Sequence, residues 1–258
     1  MRCSFGQYFS QYFANQSLRT QFMECLFAPD MTIDAATVLL LGDEAQHARA
    51  LRLRVGERLL LSNGHGLCAE TEVQEISKEK VVCGVVRILP EHSEYPFRII
   101  VALGILDNRE RMEFALEKAI ELGARDFVPL LTDNSERDRT KPERLQSKAL
   151  AALKQAHRAH FPTIHAPMSP KALLEMLPAG THLILADAEG TAPHRYRART
   201  VCLCVGAEGG FSQDEQQLFR NDPRTNLWKL APTRLRAETA LLCGVAALTL
   251  FHELSFSE

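Results

Sequence analysis

The sequence predicts a small β-rich domain followed by a larger α/β domain built on a mostly parallel sheet. Three observations carry that expectation. Residues 24–94 read as short β segments separated by glycine and asparagine, which is turn punctuation. Residues 97–254 alternate apolar runs of strand length with stretches of helical period, the pattern of β-α units with helices on both faces of the sheet. Between them lies Pro90-Glu91-His92-Ser93-Glu94-Tyr95-Pro96, polar and flanked by prolines, as a linker should be.

In chain order, the first domain offers strands at Val38–Leu41, Arg58–Ser62, Leu67–Ile76 and Lys80–Leu89. A short helix is expected near Glu44–Arg52, and Asn63-Gly64-His65-Gly66 marks a turn. These make a small β-barrel-like domain. In the second domain Phe97–Leu106 is an almost unbroken apolar run, as in a strand buried on both faces. Arg109–Leu122 follows with Met112, Ala115, Leu116, Ala119 and Ile120 at helical spacing and Gly123 as a stop. Asp126–Leu131 is the next strand. Pro142 opens a helix to about Ala159, and Ser169-Pro170 opens another. Strands His182–Ala186 and Val201–Gly206 come next. Ser212 with Glu215 three residues later forms a capping box. A short strand Asn226–Leu230 and a long helix Ala237–Leu254 complete the chain.

The 258 residues hold one large or two ordinary domains. A content of 46% hydrophobic and 24% charged residues is that of a globular protein in water. No apolar run reaches the roughly 20 residues of a membrane span, and no membrane partner is expected. Residues 1–22 contain Arg2 and Arg19 and no apolar segment, so they do not read as a secretory signal and a cytoplasmic location is expected. Seven cysteines at positions 3, 25, 68, 83, 202, 204 and 243 form no CxxC pair, which argues against a disulfide framework and against a metal site. The net charge is −2, with 9 Lys/Arg against 12 Asp/Glu in residues 1–94 and 21 against 20 in residues 95–258. An anionic partner therefore requires local positive charge. Arg49, Arg52, Arg54 and Arg58 supply one such cluster. Arg137, Arg139 and Lys141 supply a second, and the alternating Arg195, Arg197 and Arg199 a third.

Four stretches carry the chemical signal. Val205-Gly206-Ala207-Glu208-Gly209-Gly210-Phe211-Ser212 follows a buried strand and precedes a capped helix, where ligands sit in parallel α/β sheets. It is neither GxGxxG nor a P-loop, so a phosphate cradle is not expected. In Leu230-Ala231-Pro232-Thr233-Arg234-Leu235-Arg236-Ala237-Glu238-Thr239-Ala240, Glu238 suits the first turn of a helix but Arg236 opposes the dipole, so Arg236 is expected to have a partner elsewhere. The others are Lys154-Gln155-Ala156-His157-Arg158-Ala159-His160-Phe161-Pro162 and Glu117-Lys118-Ala119-Ile120-Glu121-Leu122-Gly123.

In this order the four stretches resemble the SPOUT-class methyltransferases that make 3-methyluridine in small-subunit ribosomal RNA. Gln46-His47 with Leu51-Arg52 and Gly56 resembles that family's N-terminal RNA-binding domain. The resemblance covers about residues 23–254. It implies an N-terminal extension over residues 1–22, a PUA-like β-barrel over 23–94, and a SPOUT α/β domain with a trefoil knot over 95–258, working as a homodimer on ribosomal RNA within the small subunit. It implies S-adenosylmethionine as cofactor, held by Ala186, Gly206, Glu208, Gly209, Gly210, Leu230, Leu235 and Ala240. RNA would be met by Arg49, Arg52, Arg54, Arg137 and Arg139. Methylation at N3 needs the imide proton removed, and a nearby cation stabilises the developing anion. Arg158 or Arg236 is expected to be that cation, with Glu208 orienting or accepting the proton. Since N3 lies on the pairing edge, the base must be unpaired or flipped out.

The chain departs from the family pattern at several places. Leu106-Asp107-Asn108-Arg109 stands where a lysine usually precedes aspartate and arginine. Ala207 replaces proline, Ala231 and Thr233 replace glycine and arginine, and Gln46 replaces histidine. Two alternatives follow: a SPOUT methyltransferase with another RNA target, and a catalytically silent RNA-binding or ribosome-assembly paralogue.

Overall fold

The structure, a computed structural model, describes residues 23–135 and 141–253. It divides into two compact units: residues up to His92 together with His157–Ala159, and Ser93–Ala156 together with residues from His160 onward.

The first unit contains a five-stranded sheet in the order β1-β3-β4-β5-β2. These strands are β1 (Cys25–Phe27), β2 (Thr37–Leu41), β3 (Arg58–Ser62), β4 (Leu67–Ile76) and β5 (Lys80–Pro90), with one helix, α1 (Gly42–Ala50). Strand β2 shows why: Val38 and Leu40 point inward while Leu39 and Leu41 face water. They join Leu59, Leu61, Ala69, Val81 and the helix residues Ala45 and Ala48 in one core. Strand β1 escaped the sequence reading. It is three residues long and pairs parallel to β3, Cys25 opposite Leu60, so its partner lies far along the chain.

The expected helix to Ala159 ends at Gln155. His157 takes φ 55°, which breaks the helical path, and the next residues complete the first unit. Ser62 Oγ donates to the Arg158 carbonyl at 2.7 Å. The Gly66 amide donates to the Ala159 carbonyl at 2.9 Å and the Ala159 amide to His92 at 3.2 Å.

The second unit is α/β. It comprises β6 (Arg98–Gly104), α2 (Arg109–Glu121), β7 (Asp126–Leu130), α3 (Pro142–Gln155), β8 (Thr163–Ile164) and α4 (Pro170–Met176), then β9 (His182–Thr191), β10 (Thr200–Val205), α5 (Gln213–Asn221), β11 (Thr225–Trp228) and α6 (Ala237–Phe251). The sheet order is β11-β9-β10-β6-β7-β8, and every pair is parallel. The apolar run of β6 serves both faces. Ile99, Val101 and Leu103 pack with residues of α2, α3 and α6, while Ile100 and Ala102 pack with Leu173 of α4 and Phe219 of α5.

Strand β9 runs to Thr191, five residues beyond its expected end. Its register with β11 jumps, Leu227 opposing Leu185 but Trp228 opposing Thr191, so residues 186–190 bulge out at the sheet's carboxyl edge. The last helix ends at Phe251, and its expected end at Leu254 lies outside the described residues, as do residues 1–22.

Helix α6 meets the sheet through Gly244. A Cβ there would lie 2.5 Å from Leu203 Cδ2. Gly244→Val should therefore destabilise the protein by about 1–3 kcal/mol through overpacking, seen as a lower urea midpoint; a rise would mean the interface relaxes freely. Beside this helix, Tyr196 stacks on His182 at 4.8 Å and Phe97 on His252 at 3.7 Å. Burial holds both imidazoles below the ordinary histidine value of 6.5, aided for His182 by His194 and opposed for His252 by its bond to the Ala198 carbonyl. A depressed histidine favours the neutral folded form, so its stabilisation is present above pH 6.5 and lost as the pH falls below it. Thermal melting should drop between pH 7.5 and 5.5, and His182→Phe should flatten that drop.

Candidate functional site

The parallel strands bring the loops that follow them to one edge. The chain leaves β6 at Ile105–Asn108, β9 at the 186–190 bulge, β10 at Gly206–Ser212, and β11 at Lys229–Arg236. Ligand sites in parallel sheets form at this carboxyl edge.

Glycines let these loops touch. A Cβ on Gly104 would stand 2.3 Å from the Ala207 nitrogen. On Gly206 it would stand 2.8 Å from the Gly210 backbone, and on Gly190 2.6 Å from the Leu227 carbonyl carbon. Gly210 sits at φ 71° and closes the turn by donating its amide to the Ala207 carbonyl at 2.9 Å. The loop after β7 braces this turn: Asn134 Nδ2 donates to the carbonyls of Gly209 and Gly210, both at 3.2 Å. The Asp133 amide donates to Glu215 at 2.9 Å, and Ser212 Oγ to Asp133 Oδ2 at 2.5 Å. The capping box of Ser212 and Glu215 starts α5. From α5, Arg220 reaches the β9 bulge, donating to Asp187 at 2.7 Å and Glu189 at 3.2 Å.

Arg111, in the first turn of α2, joins three of these elements. Its Nε and Nη2 donate to the two carboxylate oxygens of Glu238, the former at 2.9 Å. Its Nη1 donates to Glu208 Oε1 at 2.7 Å. Asn108 caps the helix that carries it, accepting from the Glu110 and Arg111 amides at 2.8 and 3.1 Å. The bond to Glu238 raises the Arg111 guanidinium above its ordinary value and lowers Glu238 below its own. Both groups therefore stay ionised.

The expected cofactor residues fall on these loops: Ala186 at the start of the bulge, Gly206, Glu208, Gly209 and Gly210 after β10, Leu230 and Leu235 after β11, and Ala240 in the first turns of α6. Arg236 is the N-cap residue of α6 and is exposed. The separate partner expected for it is not found: among the described residues it makes no ion pair within 4 Å, and its charge acts on Glu238, two residues on. Arg158, grouped with the first unit, is 1% exposed. Arg52 and Arg54 are exposed in the first unit, and half-buried Arg49 donates to the Ser77 carbonyl at 3.4 Å. Arg137 and Arg139 lie outside the described residues.

Sequence reasoning missed Arg111, Asn134 and Arg220. A usable signal existed only for Gly104 and Gly190, since glycine at a strand end marks close backbone approach.

A family model described as the RNA methyltransferase domain matches residues 93–249, and one described as the RNA methyltransferase PUA domain matches residues 40–86. The chain is 27% identical over 240 residues to the Ribosomal RNA small subunit methyltransferase E of Bacillus subtilis, covering 86% of this chain and 93% of that protein. Among solved structures, the probable rRNA-methyltransferase of Porphyromonas gingivalis aligns with a TM-score of 0.72 at 28% identity, over 89% of this chain and 98% of the other. The Neisseria gonorrhoeae Ribosomal RNA small subunit methyltransferase E, bound to S-adenosyl methionine, shares the fold with a TM-score of 0.79 at 24% identity, over 88% and 97% of the two chains. A parallel α/β unit with clamped glycine loops at its carboxyl edge, matched over more than half of the chain by one family, makes this protein a member of the RNA methyltransferase family, with a PUA domain preceding the methyltransferase domain.

Proposed function

We propose that this protein methylates N3 of a uridine in small-subunit ribosomal RNA, using S-adenosylmethionine. The observation that carries the reading is the Arg111 clamp on Glu208 and Glu238 over a glycine-lined strand edge, in a member of the RNA methyltransferase family.

The residues suit the cofactor. Half-buried Ala186, Leu230, Leu235 and Ala240 offer apolar surface. Gly206, Gly209 and Gly210 bring no side chains of their own to the turn, and Asn134 packs against it at Gly209. The loop has no phosphate motif, and the carboxylates Glu208, Asp187 and Glu189 are each held by an arginine. When bound, S-adenosylmethionine supplies an electrophilic methyl group on a sulfonium.

The chain's own groups prepare the acceptor. Uracil N3 must lose its proton to act as a nucleophile, and Glu208, 37% exposed at its side chain, orients the imide or takes the proton. Arg236 is exposed and its charge acts on Glu238, so we assign it the cation that stabilises the anionic imide. Arg158 was the other candidate; at 1% exposure it is shielded from solvent, which favours a structural role. Residues 23–94 form the RNA-binding domain, a PUA-like barrel, with Arg49, Arg52 and Arg54 meeting phosphates. Residues 95–258 form the methyltransferase domain, whose last loops and α6 make a trefoil knot, and Arg137 and Arg139 add RNA contacts. The enzyme works as a homodimer. Leu242, Cys243, Ala246 and Leu250 line one side of α6, with Leu250 47% exposed and Phe114 of α2 46% exposed, an apolar face suited to a second copy.

Small-subunit ribosomal RNA from a deletion strain should lack one 3-methyluridine by mass spectrometry and regain it with the wild-type gene. An unchanged 3-methyluridine content would sink the reading, and loss of a different methylated nucleotide would move it to another RNA target. Arg111→Ala should weaken cofactor binding about tenfold by calorimetry, and Arg111→Lys should restore it only in part, because lysine cannot make the bidentate bond. Arg236→Ala should keep cofactor affinity and lower turnover about 100-fold or more; Glu208→Gln should lower turnover similarly at saturating cofactor and also weaken cofactor binding, since it loosens the Arg111 clamp; full turnover would remove that residue from the mechanism.

A further inference from the structure

The edge of the parallel sheet opposite the glycine loops carries a line of arginines that the methyl-transfer site does not use. Residues 195–199 run alongside the end of α6. The Tyr196 amide donates to the Phe251 carbonyl at 3.1 Å, the Glu253 amide donates to the Tyr196 carbonyl at 2.8 Å, and the His252 ring meets the Ala198 carbonyl at 2.9 Å. Tyr196 is buried and Ala198 half-buried, so Arg195, Arg197 and Arg199 all face water. The Arg199 carbonyl accepts the Arg98 amide at 2.9 Å, which adds a fourth arginine, 54% exposed, to the row.

Carboxylates do not balance these charges. Arg195 and Arg197, 76% and 67% exposed, share the single carboxylate of Glu253 at 3.3 and 3.0 Å. Arg199 makes no ion pair within 4 Å among the described residues. Arg98 holds buried Asp126 through Nε and Nη2, leaving Nη1 free of that pairing. Three outward cations over one carboxylate repel one another, and a regularly spaced polyanion relieves that repulsion. Arginine also pairs phosphate in bidentate fashion, which lysine cannot do.

We propose that Arg195, Arg197 and Arg199, extended by Arg98, form a second RNA track that grips the phosphodiester backbone away from the reacting base. It rests on the reading that the protein acts on RNA. Contacts of such arginines to the phosphates are independent of sequence. The track therefore holds the substrate's flank and contributes affinity rather than target choice.

The test is fluorescence anisotropy of the full chain with a labelled transcript of small-subunit ribosomal RNA across a salt series, with melting temperature and S-adenosylmethionine calorimetry as folding controls. R195Q/R197Q/R199Q should bind about tenfold more weakly near 0.1 M salt and lower the slope of log affinity against log salt by about 2–3. R195K/R197K/R199K should keep most of that slope. E253Q frees two arginines and should bind about twofold more tightly, whereas a purely structural pair would bind no better once broken. Wild-type affinity and slope in the triple glutamine variant would overturn the track while leaving the enzyme's RNA reading intact. A wild-type chain that binds no RNA would overturn both. Polyglutamate binding that depends on the three arginines, with RNA binding unchanged, would assign the row to an acidic protein and overturn the proposal.

Discussion

One guanidinium shared by two carboxylates organises the carboxyl edge of the parallel sheet. Arg111 stands 97 residues from Glu208 and 127 from Glu238 in the chain, yet it fixes the glycine loop and the start of α6 to the first turn of α2. Its value is geometric. The side chains are partly exposed, 24% for Arg111 and 11% for Glu238, and exposed ion pairs contribute only about 0–1 kcal/mol. A planar fork that meets one carboxylate with two bonds and a second with the third nitrogen constrains orientation more than it adds stability. The charges also complement their helices unequally. Glu238 suits the first turn of α6, whereas a cation in the first turn of α2 is disfavoured unless anions face it, and both carboxylates do.

Close backbone approach does the rest of the positioning. Gly104 and Ala207, Gly206 and Gly210, and Gly190 and Leu227 stand nearer than any Cβ permits. The loops after β6, β9, β10 and β11 are consequently stacked main chain on main chain. Asn134 and Arg220 brace them from the neighbouring loop and helix. Such an edge presents peptide groups and small apolar side chains to a ligand, and places its carboxylates at the rim.

The alternation of apolar runs and helical periods made the α/β class legible, because β6 is buried on both faces and its neighbours alternate with helices. The glycine turn and its capping box were legible for the same reason: strand end, turn and helix start are local signals. What stayed hidden depends on residues distant in sequence. Strand β1 exists only through its parallel pairing with β3. The early end of α3 follows from the His157 backbone and from hydrogen bonds to Ser62 and Gly66. Arg111 sits in an ordinary amphipathic helix, and nothing nearby distinguishes it from Arg109. Arg236 has no ion pair within 4 Å among the described residues. A cation opposing a helix dipole is expected to have a partner elsewhere; here the guanidinium is exposed to water and its charge acts on Glu238.

Charge shows the same difference between composition and structure. A net charge of −2 argues against a nucleic-acid partner, but it counts buried and exposed groups alike. Among the described residues, the buried acidic and basic side chains are Glu94, Glu113, Asp126, Glu215, Glu238 and the single base Arg158. The interior therefore takes up acids preferentially, holding them against arginines, main-chain amides and helix starts. The surface left to solvent is more basic than the composition states. Exposed Arg52, Arg54, Arg58, Arg199, Arg234 and Arg236 have no ion pair within 4 Å among those residues. A phosphate backbone senses this surface, and at physiological salt only over about 8 Å. The sign of the local patches, not of the whole chain, decides whether RNA is attracted.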